Sequence, residues 1–274
     1  MEKNEIEKIE YDLLLDAIFQ RYGYEFRHYN KPTLRRRIRM VMEHLNLTNI
    51  SDLIPKILYD IRSFERLIFS FSITVTEMFR DPGFYKSIRD QILPYLRTYP
   101  VLKIWHAGCA TGEEAYSLAI LLKEEGLYDR STIFATDYND IALRKAKAGI
   151  YPISFLKTYT ANYQASGGKE EFSKYYHAQY DSVILDQSLR EKITFANHNL
   201  VIDGVFGEMN LIFCRNVLIY FDSQLQDRVL KLFRDSLVHK GYLCLGNKEN
   251  IRFSSVADSF SVINQEEKVF RKNR

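Results

Sequence analysis

Apolar positions recur every third or fourth residue through the first seventy residues of the chain, a spacing that predicts helices. Leu14, Ile18 and Tyr22 mark a first helix. Leu34, Ile38, Val41 and Leu45 mark a second, with Pro32 suited to its first turn. Ser51-Asp52 suits the start of a third, and a fourth apolar segment runs from Phe64 to Phe71. From about residue 100 the pattern changes to short apolar runs alternating with amphipathic stretches. Leu102–Ala107, Thr132–Thr136, Ile193–Ala196, Asn210–Cys214 and Tyr242–Gly246 predict strands. Residues 113–125, 139–148 and 222–239 predict helices between them. In the last, Leu225, Val229, Leu232, Phe233 and Leu237 make one apolar stripe, with Asp222 as N-cap and Gly241 just past the end. Such alternation predicts an α/β fold, a parallel sheet covered by helices.

Two stretches break the alternation. Phe260–Ile263 and Lys268–Arg271 flank Asn264-Gln265-Glu266-Glu267 and predict a terminal hairpin, which an antiparallel strand at the sheet edge accommodates. Residues 151–190 are rich in Tyr, Ser, Lys and Gln and end in the alternating Asp181-Ser182-Val183-Ile184-Leu185. They predict an inserted subdomain built on a small antiparallel sheet.

Composition narrows the class. With 274 residues, 46% hydrophobic and 27% charged, the chain fits a soluble globular protein of one large or two modest domains. A formal charge of +3 is too mild to argue for nucleic acid. Cys109, Cys214 and Cys244 form no CxxC pair, which favours a reduced cytosolic setting over a disulfide framework or zinc site. The N-terminus is charged from the start, and no apolar run approaches the ~20 residues of a membrane helix. A cytoplasmic protein without bound metal or membrane insertion is expected.

The densest chemistry lies in Lys103–Ile120, where an apolar run meets Gly108-x-x-x-Gly112 and a helical segment follows at once. Glycines at a strand–loop–helix junction let backbone N–H groups approach a ligand. Glu113 and Glu114 stand where a phosphate-cradling loop carries Lys or Ser/Thr, which points to a nucleoside bearing positive charge. The third glycine of the dinucleotide fingerprint is missing, which disfavours NAD. Asp137, roughly 25 residues on, closes the second strand where an acid accepts ribose hydroxyls. Both acids also have plainer readings: Thr111-x-x-Glu114 has the form of a capping box, and Asp137 suits the cap of the next helix. Cys214, Arg215 and Asn216 end a buried strand, the place where ligands sit in open α/β sheets. Arg215 follows five apolar residues and needs a partner or solvent. Arg35, Arg36, Arg37 and Arg39 form either a solvated helix face or a docking face for an acidic partner.

Four stretches together resemble the CheR family of S-adenosylmethionine-dependent protein-glutamate O-methyltransferases, which act on chemotaxis receptors. They are Ile73–Pro82, Trp105–Ala119, Phe134–Tyr151 and Leu211–Asp222. The resemblance implies an all-α N-terminal domain (1–71), a linker contributing to the cofactor site (72–98) and a class I methyltransferase domain (99–274). That last domain would hold a Rossmann-like sheet, the terminal hairpin and the β insert of about 151–190. It further implies that Thr74, Thr76 and Arg80 reach the cofactor pocket, Thr74 standing where the family carries an asparagine. Glu114 would receive the amino end of S-adenosyl-L-methionine beside the Gly108 loop, and Asp137 its ribose. Asn199 and Leu200 would lie along the adenine, with Cys214 and Arg215 closing the pocket near the sulfur. Tyr220 would lie beside the methyl path. For the catalytic step, Arg80 is the candidate for orienting the acceptor carboxylate, which a guanidinium matches in fork geometry, with Tyr220 holding it by hydrogen bond. Arg35, Arg36 and Arg39 are the expected docking face for the receptor's cytoplasmic helical region. Some members bind a receptor C-terminal tail through the inserted sheet, which would place that contact at 151–190. A monomer releasing S-adenosyl-L-homocysteine is expected. The alternatives are a methyltransferase acting on another substrate and a non-catalytic S-adenosylmethionine-binding scaffold.

Overall fold

A computed structural model of the chain describes residues 3–71 and 76–273. It divides into two compact units, Met1–Ile73 with Ile219–Arg228, and Thr74–Leu218 with Val229–Arg274.

Four helices build the first unit: α1 (Lys3–Tyr22), α2 (Lys31–His44), α3 (Leu53–Tyr59) and α4 (Ile61–Phe71). Leu14, Ile18, Leu34, Ile38, Ile57 and Leu67 are fully or nearly fully buried, so the helical periodicity in the sequence marks the core faces. Caps fix where the helices start. Asn30 Oδ1 accepts from Thr33 N–H at 3.2 Å at the start of α2. Both Asp60 carboxylate oxygens accept backbone N–H groups, from Arg62 and Ser63, so α4 begins three residues before the Phe64–Phe71 run. The stretch from Ile219 joins this unit through main-chain bonds: Asn30 N–H to the Tyr220 carbonyl at 2.7 Å, and Asp222 N–H to the His28 carbonyl at 2.9 Å. Tyr29 and Phe221 form the bridge between these bonds. A boundary read from linear sequence at residue 99 leaves this stretch with the sheet; the long-range pairing groups it with the helices.

The second unit opens with α5 (Pro82–Ser87), a π-helical turn (Ile88–Ile92) and α6 (Leu93–Leu96). The sheet unit then runs β1 (Leu102–Ala107), α7 (Glu113–Glu124), β2 (Ser131–Asp137), α8 (Asp140–Ala148) and β3 (Ile150–Pro152). It continues through α9 (Leu156–Ala165), β4 (Tyr176–Gln179), β5 (Ser182–Leu185), β6 (Ile193–Asn197) and β7 (Met209–Cys214). After α10 (Ser223–Ser236), which starts in the first unit, come β8 (Leu237–Leu245), β9 (Phe260–Asn264) and β10 (Val269–Lys272). Seven strands form one sheet in the order β6-β2-β1-β7-β8-β10-β9. The first five are parallel, and β10 enters antiparallel to both β8 and β9. Strands β3, β5 and β4 form the separate antiparallel sheet of the insert. Every residue of β7 is buried, as a parallel strand covered on both faces requires. Met78, Phe79, Phe84, Tyr85 and Ile88 pack into the same core as Leu118, Ile133 and Phe213. The segment just after the undescribed residues is thereby built into the sheet unit.

One predicted boundary moves. The apolar stripe of the last long helix includes Leu237 and predicts helix to 239, but α10 stops at Ser236 and Leu237 already pairs with Met209 in β8. The ladder then jumps to Leu211 opposite Tyr242. Residues Val238–Gly241 bulge between, with Lys240 left-handed at φ 61°. Gly241 is therefore a tight point inside β8: a Cβ there would stand 3.0 Å from the Val238 carbonyl oxygen.

Candidate active site

Strands β1 and β7 are neighbours, and the connection after β1 runs to β2 on one side while the connection after β7 runs to β8 on the other. In such sheets ligands bind beyond the carboxyl ends of the strands at this reversal. Here those ends carry the Gly108–Gly112 loop and Cys214-Arg215-Asn216. The Gly108 and Cys109 amides both donate to the Thr136 carbonyl, at 2.8 and 2.9 Å, folding the loop back over β2. Gly108 fits against Val217, whose Cγ2 would lie 2.5 Å from an added Cβ. Gly112, at φ 92°, is the residue that caps α7, and no side-chain bond caps this end. The capping box readable at Thr111 and Glu114 does not form: Thr111 Oγ1 donates to Glu113 at 2.7 Å.

Glu114 turns instead to a buried ion cluster. The Arg215 side chain is fully buried; its Nη1 donates to Glu114 Oε1 at 2.7 Å and its Nη2 to Asp81 Oδ2 at 2.6 Å. Its guanidinium lies 3.9 Å from the Phe84 ring centroid, and Nη1 also reaches the Arg80 carbonyl at 3.4 Å. Burial opposes the charge on Arg215, yet the Glu114 and Asp81 carboxylates hold its pKa above the usual arginine value. Burial likewise opposes ionisation of Glu114, but the charges of Arg215, which also donates to it, and of Arg80 pull its carboxyl below the ordinary range. Asp81 and Phe79 are both left-handed, at φ 56° and 52°. Non-glycine residues hold that conformation only where the surroundings fix it. Here Phe79 N–H donates to Ser117 Oγ at 2.8 Å, and Arg215 takes the Asp81 carboxylate.

His106 sits one residue before the end of β1, 1% exposed and stacked on Phe213. Its Nε2 is 3.7 Å from Glu114 Oε2, beyond hydrogen-bond reach. Burial pushes its pKa down, so it is neutral at pH 7.

Asp137 ends β2 and braces the loop: Oδ2 accepts Ala110 N–H and Oδ1 accepts Asn139 N–H, both at 2.9 Å. Burial raises its pKa against the pull of those amides. Asn139, not Asp137, caps α8. Asn199 Oδ1 accepts Val201 N–H at 3.0 Å in the turn beyond β6, and Leu200 beside it is buried. Cys214 ends β7 fully buried, and burial lifts its thiol pKa far above normal, as it does for Cys109 and Cys244. Thr76 is half-buried at the start of the second unit, and Thr74 lies outside the described residues.

Glu114, Arg215, Arg80 and His106 thus converge at one strand end, with Asp137 bracing the adjoining loop. Tyr220 belongs to the first unit, as do Arg35, Arg36 and Arg39. Arg39 bonds Glu7 on α1 at 2.7 Å and Arg35 lies over the Tyr11 ring, while Arg36 is exposed. Sequence reasoning missed three groups. Asp81 carried no signal beyond its place beside Arg80, and His106 reads only as one more strand position. Glu249, buried after β8, accepts Gly246 N–H at 2.6 Å and Asn216 N–H at 3.0 Å and so fixes the residue after Arg215.

A sheet in this order, with a glycine loop at its reversal point, has the Rossmann-like architecture of class I S-adenosylmethionine-dependent methyltransferases, and the family comparisons place it there. The chain matches the CheR methyltransferase SAM-binding domain over residues 74–269 and the CheR methyltransferase all-alpha domain over residues 9–71. It belongs to the CheR methyltransferase family. It is 46% identical to "Putative methyltransferase Cher3" of Pseudomonas putida across 97% of both chains. An uncharacterized 104.1 kDa protein of Rhodobacter capsulatus is 30% identical across 90% of this chain and 26% of its own length. A chemotaxis protein methyltransferase of Borreliella burgdorferi is 29% identical across 90% of each chain. The residues present fit S-adenosylmethionine: Glu114 is held ionised for a cationic ligand, beside a loop of bare glycine backbone. Among the described residues no cluster of His, Cys, Asp and Glu has the makings of a metal site. No described helix is long and apolar enough to cross a membrane.

Proposed function

We propose that this protein transfers methyl groups from S-adenosylmethionine to glutamate side chains of chemotaxis receptors, forming methyl esters. The observation that supports a carboxylate acceptor is the clamp on the Arg80–Asp81 peptide. Arg215 binds the carbonyl of one residue and the carboxylate of the other, fixing the backbone from which the Arg80 guanidinium projects. The charge of Arg80 already acts on Glu114, so a second carboxylate arriving there meets a cation with a matching fork of donors. Relatives named chemotaxis protein methyltransferases, from Borreliella burgdorferi and Salmonella typhimurium, point the same way.

When bound, the cofactor supplies an electrophilic methyl group on a sulfonium. The chain's own residues have little proton chemistry to do. A glutamate carboxylate, with a pKa of about 4.3, is ionised at neutral pH and needs no general base. In keeping with that, His106 is neutral and buried and the three thiols are neutral. Glu114 receives the cofactor's ammonium, Asp137 holds the loop that carries the backbone amides, and Arg80 orients the acceptor. Catalysis then rests on positioning and exclusion of water. The family resemblance implies a place for Tyr220 beside the methyl path.

The test incubates the protein with methyl-labelled S-adenosylmethionine and a receptor cytoplasmic fragment. Label released by mild base is the expected result, as from an ester. Base-stable label indicates amine methylation, and cofactor binding without label indicates a scaffold. Arg80→Ala is expected to lower transfer by about 100-fold or more with an unchanged melting temperature, the scale of losing one positioned charged group. Near-normal transfer by that variant removes Arg80 from the mechanism.

A further inference from the structure

His106 is unexplained by the roles assigned so far. It is 1% exposed, and among the described residues neither ring nitrogen has a hydrogen-bond partner. A buried polar side chain left in that state costs ~1–3 kcal/mol, and native structures keep such groups where a ligand or water completes them. The direction of the ring narrows the choice. Its Nε2 faces Glu114 Oε2 at 3.7 Å, while Glu114 Oε1 is committed to Arg215. The imidazole is stacked on Phe213 at 5.6 Å between ring centroids, which fixes its plane. Two acceptors at that separation, one a carboxylate oxygen and one a ring nitrogen, lie within reach of a single donor at ~2.9 Å from each. A donor that suits both is a small cation with several N–H groups. A primary ammonium has that form and a guanidinium does not fit so narrow a gap.

We propose that His106 is a further cofactor-site residue, which joins Glu114 in receiving the ammonium end of S-adenosylmethionine. The inference rests on Glu114 as the ammonium acceptor. It adds that the imidazole carries its proton on Nδ1 and offers Nε2 as the second acceptor. His106 thereby sets specificity for the amino-acid end of the cofactor rather than for its adenosine end.

The test compares two probes on the full chain by titration calorimetry. S-adenosylhomocysteine carries the amino acid; 5′-methylthioadenosine keeps the nucleoside and thioether but lacks it. His106→Leu is expected to weaken S-adenosylhomocysteine binding by about 10-fold or more, the loss of one charge-assisted hydrogen bond, and to leave methylthioadenosine unchanged. His106→Gln, which returns a polar acceptor near the Nε2 position, is expected to recover most of the loss. Melting curves check that each variant folds; should His106→Leu fail to fold, His106→Asn, whose shorter amide does not reach the Nε2 position, takes its place. Equal loss for both probes, or no loss for S-adenosylhomocysteine, overturns the proposal. Glu114→Gln is titrated alongside. If it alone discriminates between the probes, the Glu114 role stands and that of His106 falls; if neither variant discriminates, both fall.

Discussion

Adjacent glutamates at the start of α7 end with opposite electrostatics. Glu114 has the Arg215 guanidinium and is held ionised, while Glu113, 5% exposed, has a hydroxyl from Thr111. Burial therefore wins at Glu113 and pushes its pKa up to about 7 from 4.5. An acid whose folded pKa is raised carries no penalty below its unfolded value, because both states are protonated. As pH climbs from 4.5 toward 7 the unfolded chain releases the proton first and the folded state loses stability; above 7 the full cost is present, about 3 kcal/mol. Glu113→Gln is thus expected to melt several degrees above the parent at pH 8 and level with it near pH 4.5. A variant that melts below the parent at pH 8 contradicts this. Of these residues, Glu114 was legible from loop spacing, since its place relative to Gly112 is local. Its partner was not, because Arg215 is 101 positions away, and Asp81 is 134 positions from Arg215. Buried ion clusters are assembled by topology, which residue spacing does not encode.

At the scale of elements, the local signals that succeeded were those backed by burial. Each predicted parallel strand is present within two or three residues at its start or end, except β8, whose bulged beginning was read as helix. Leu237 satisfies a helical stripe and a strand core equally well, and only its pairing with Met209 decides. The capping box failed for a related reason: the αL backbone of Gly112 supplies the cap, freeing Glu114 for Arg215. That geometry makes the turn between β1 and α7 sensitive to a single methyl group. At Gly112 a Cβ would meet the Ala146 Cβ on α8 at 2.9 Å, in a backbone conformation already unfavourable for L side chains. Gly112→Ala is expected to cost about 1–3 kcal/mol and to weaken S-adenosylhomocysteine binding, because loop and helix shift together. Gly126→Ala is the control. It has φ 65° but open space around its Cβ, so it should lower the melting temperature slightly and leave cofactor affinity intact. Equal affinity loss from both substitutions would show that the loop geometry is not what binds.

For the molecule as a whole, the residues proposed for acceptor docking and those proposed for cofactor binding are different sets, and mutations can separate them. The arginine run on α2 reads in sequence as one basic face, but its members are already divided among tasks. Arg39 is paired with Glu7, and Arg35 packs over Tyr11, so both help hold α1 on α2. Arg36 is exposed, and it is the cleanest probe of an acidic partner. Reversing one exposed charge in a steered encounter changes the association rate and its salt dependence more than the contacts formed afterwards. Arg36→Glu is accordingly expected to slow methylation of a receptor fragment about three- to tenfold at low ionic strength, with the gap narrowing toward physiological salt as the Debye length falls to about 8 Å. Affinity for S-adenosylhomocysteine should not move, since Arg36 and the Glu114 cluster lie in separate units. Arg39→Glu would confound the measurement by breaking the Glu7 pair, so a lowered melting temperature should accompany any loss it causes. If Arg36→Glu leaves the low-salt rate unchanged, α2 is a solvated face and the acidic partner is recognised elsewhere on the chain.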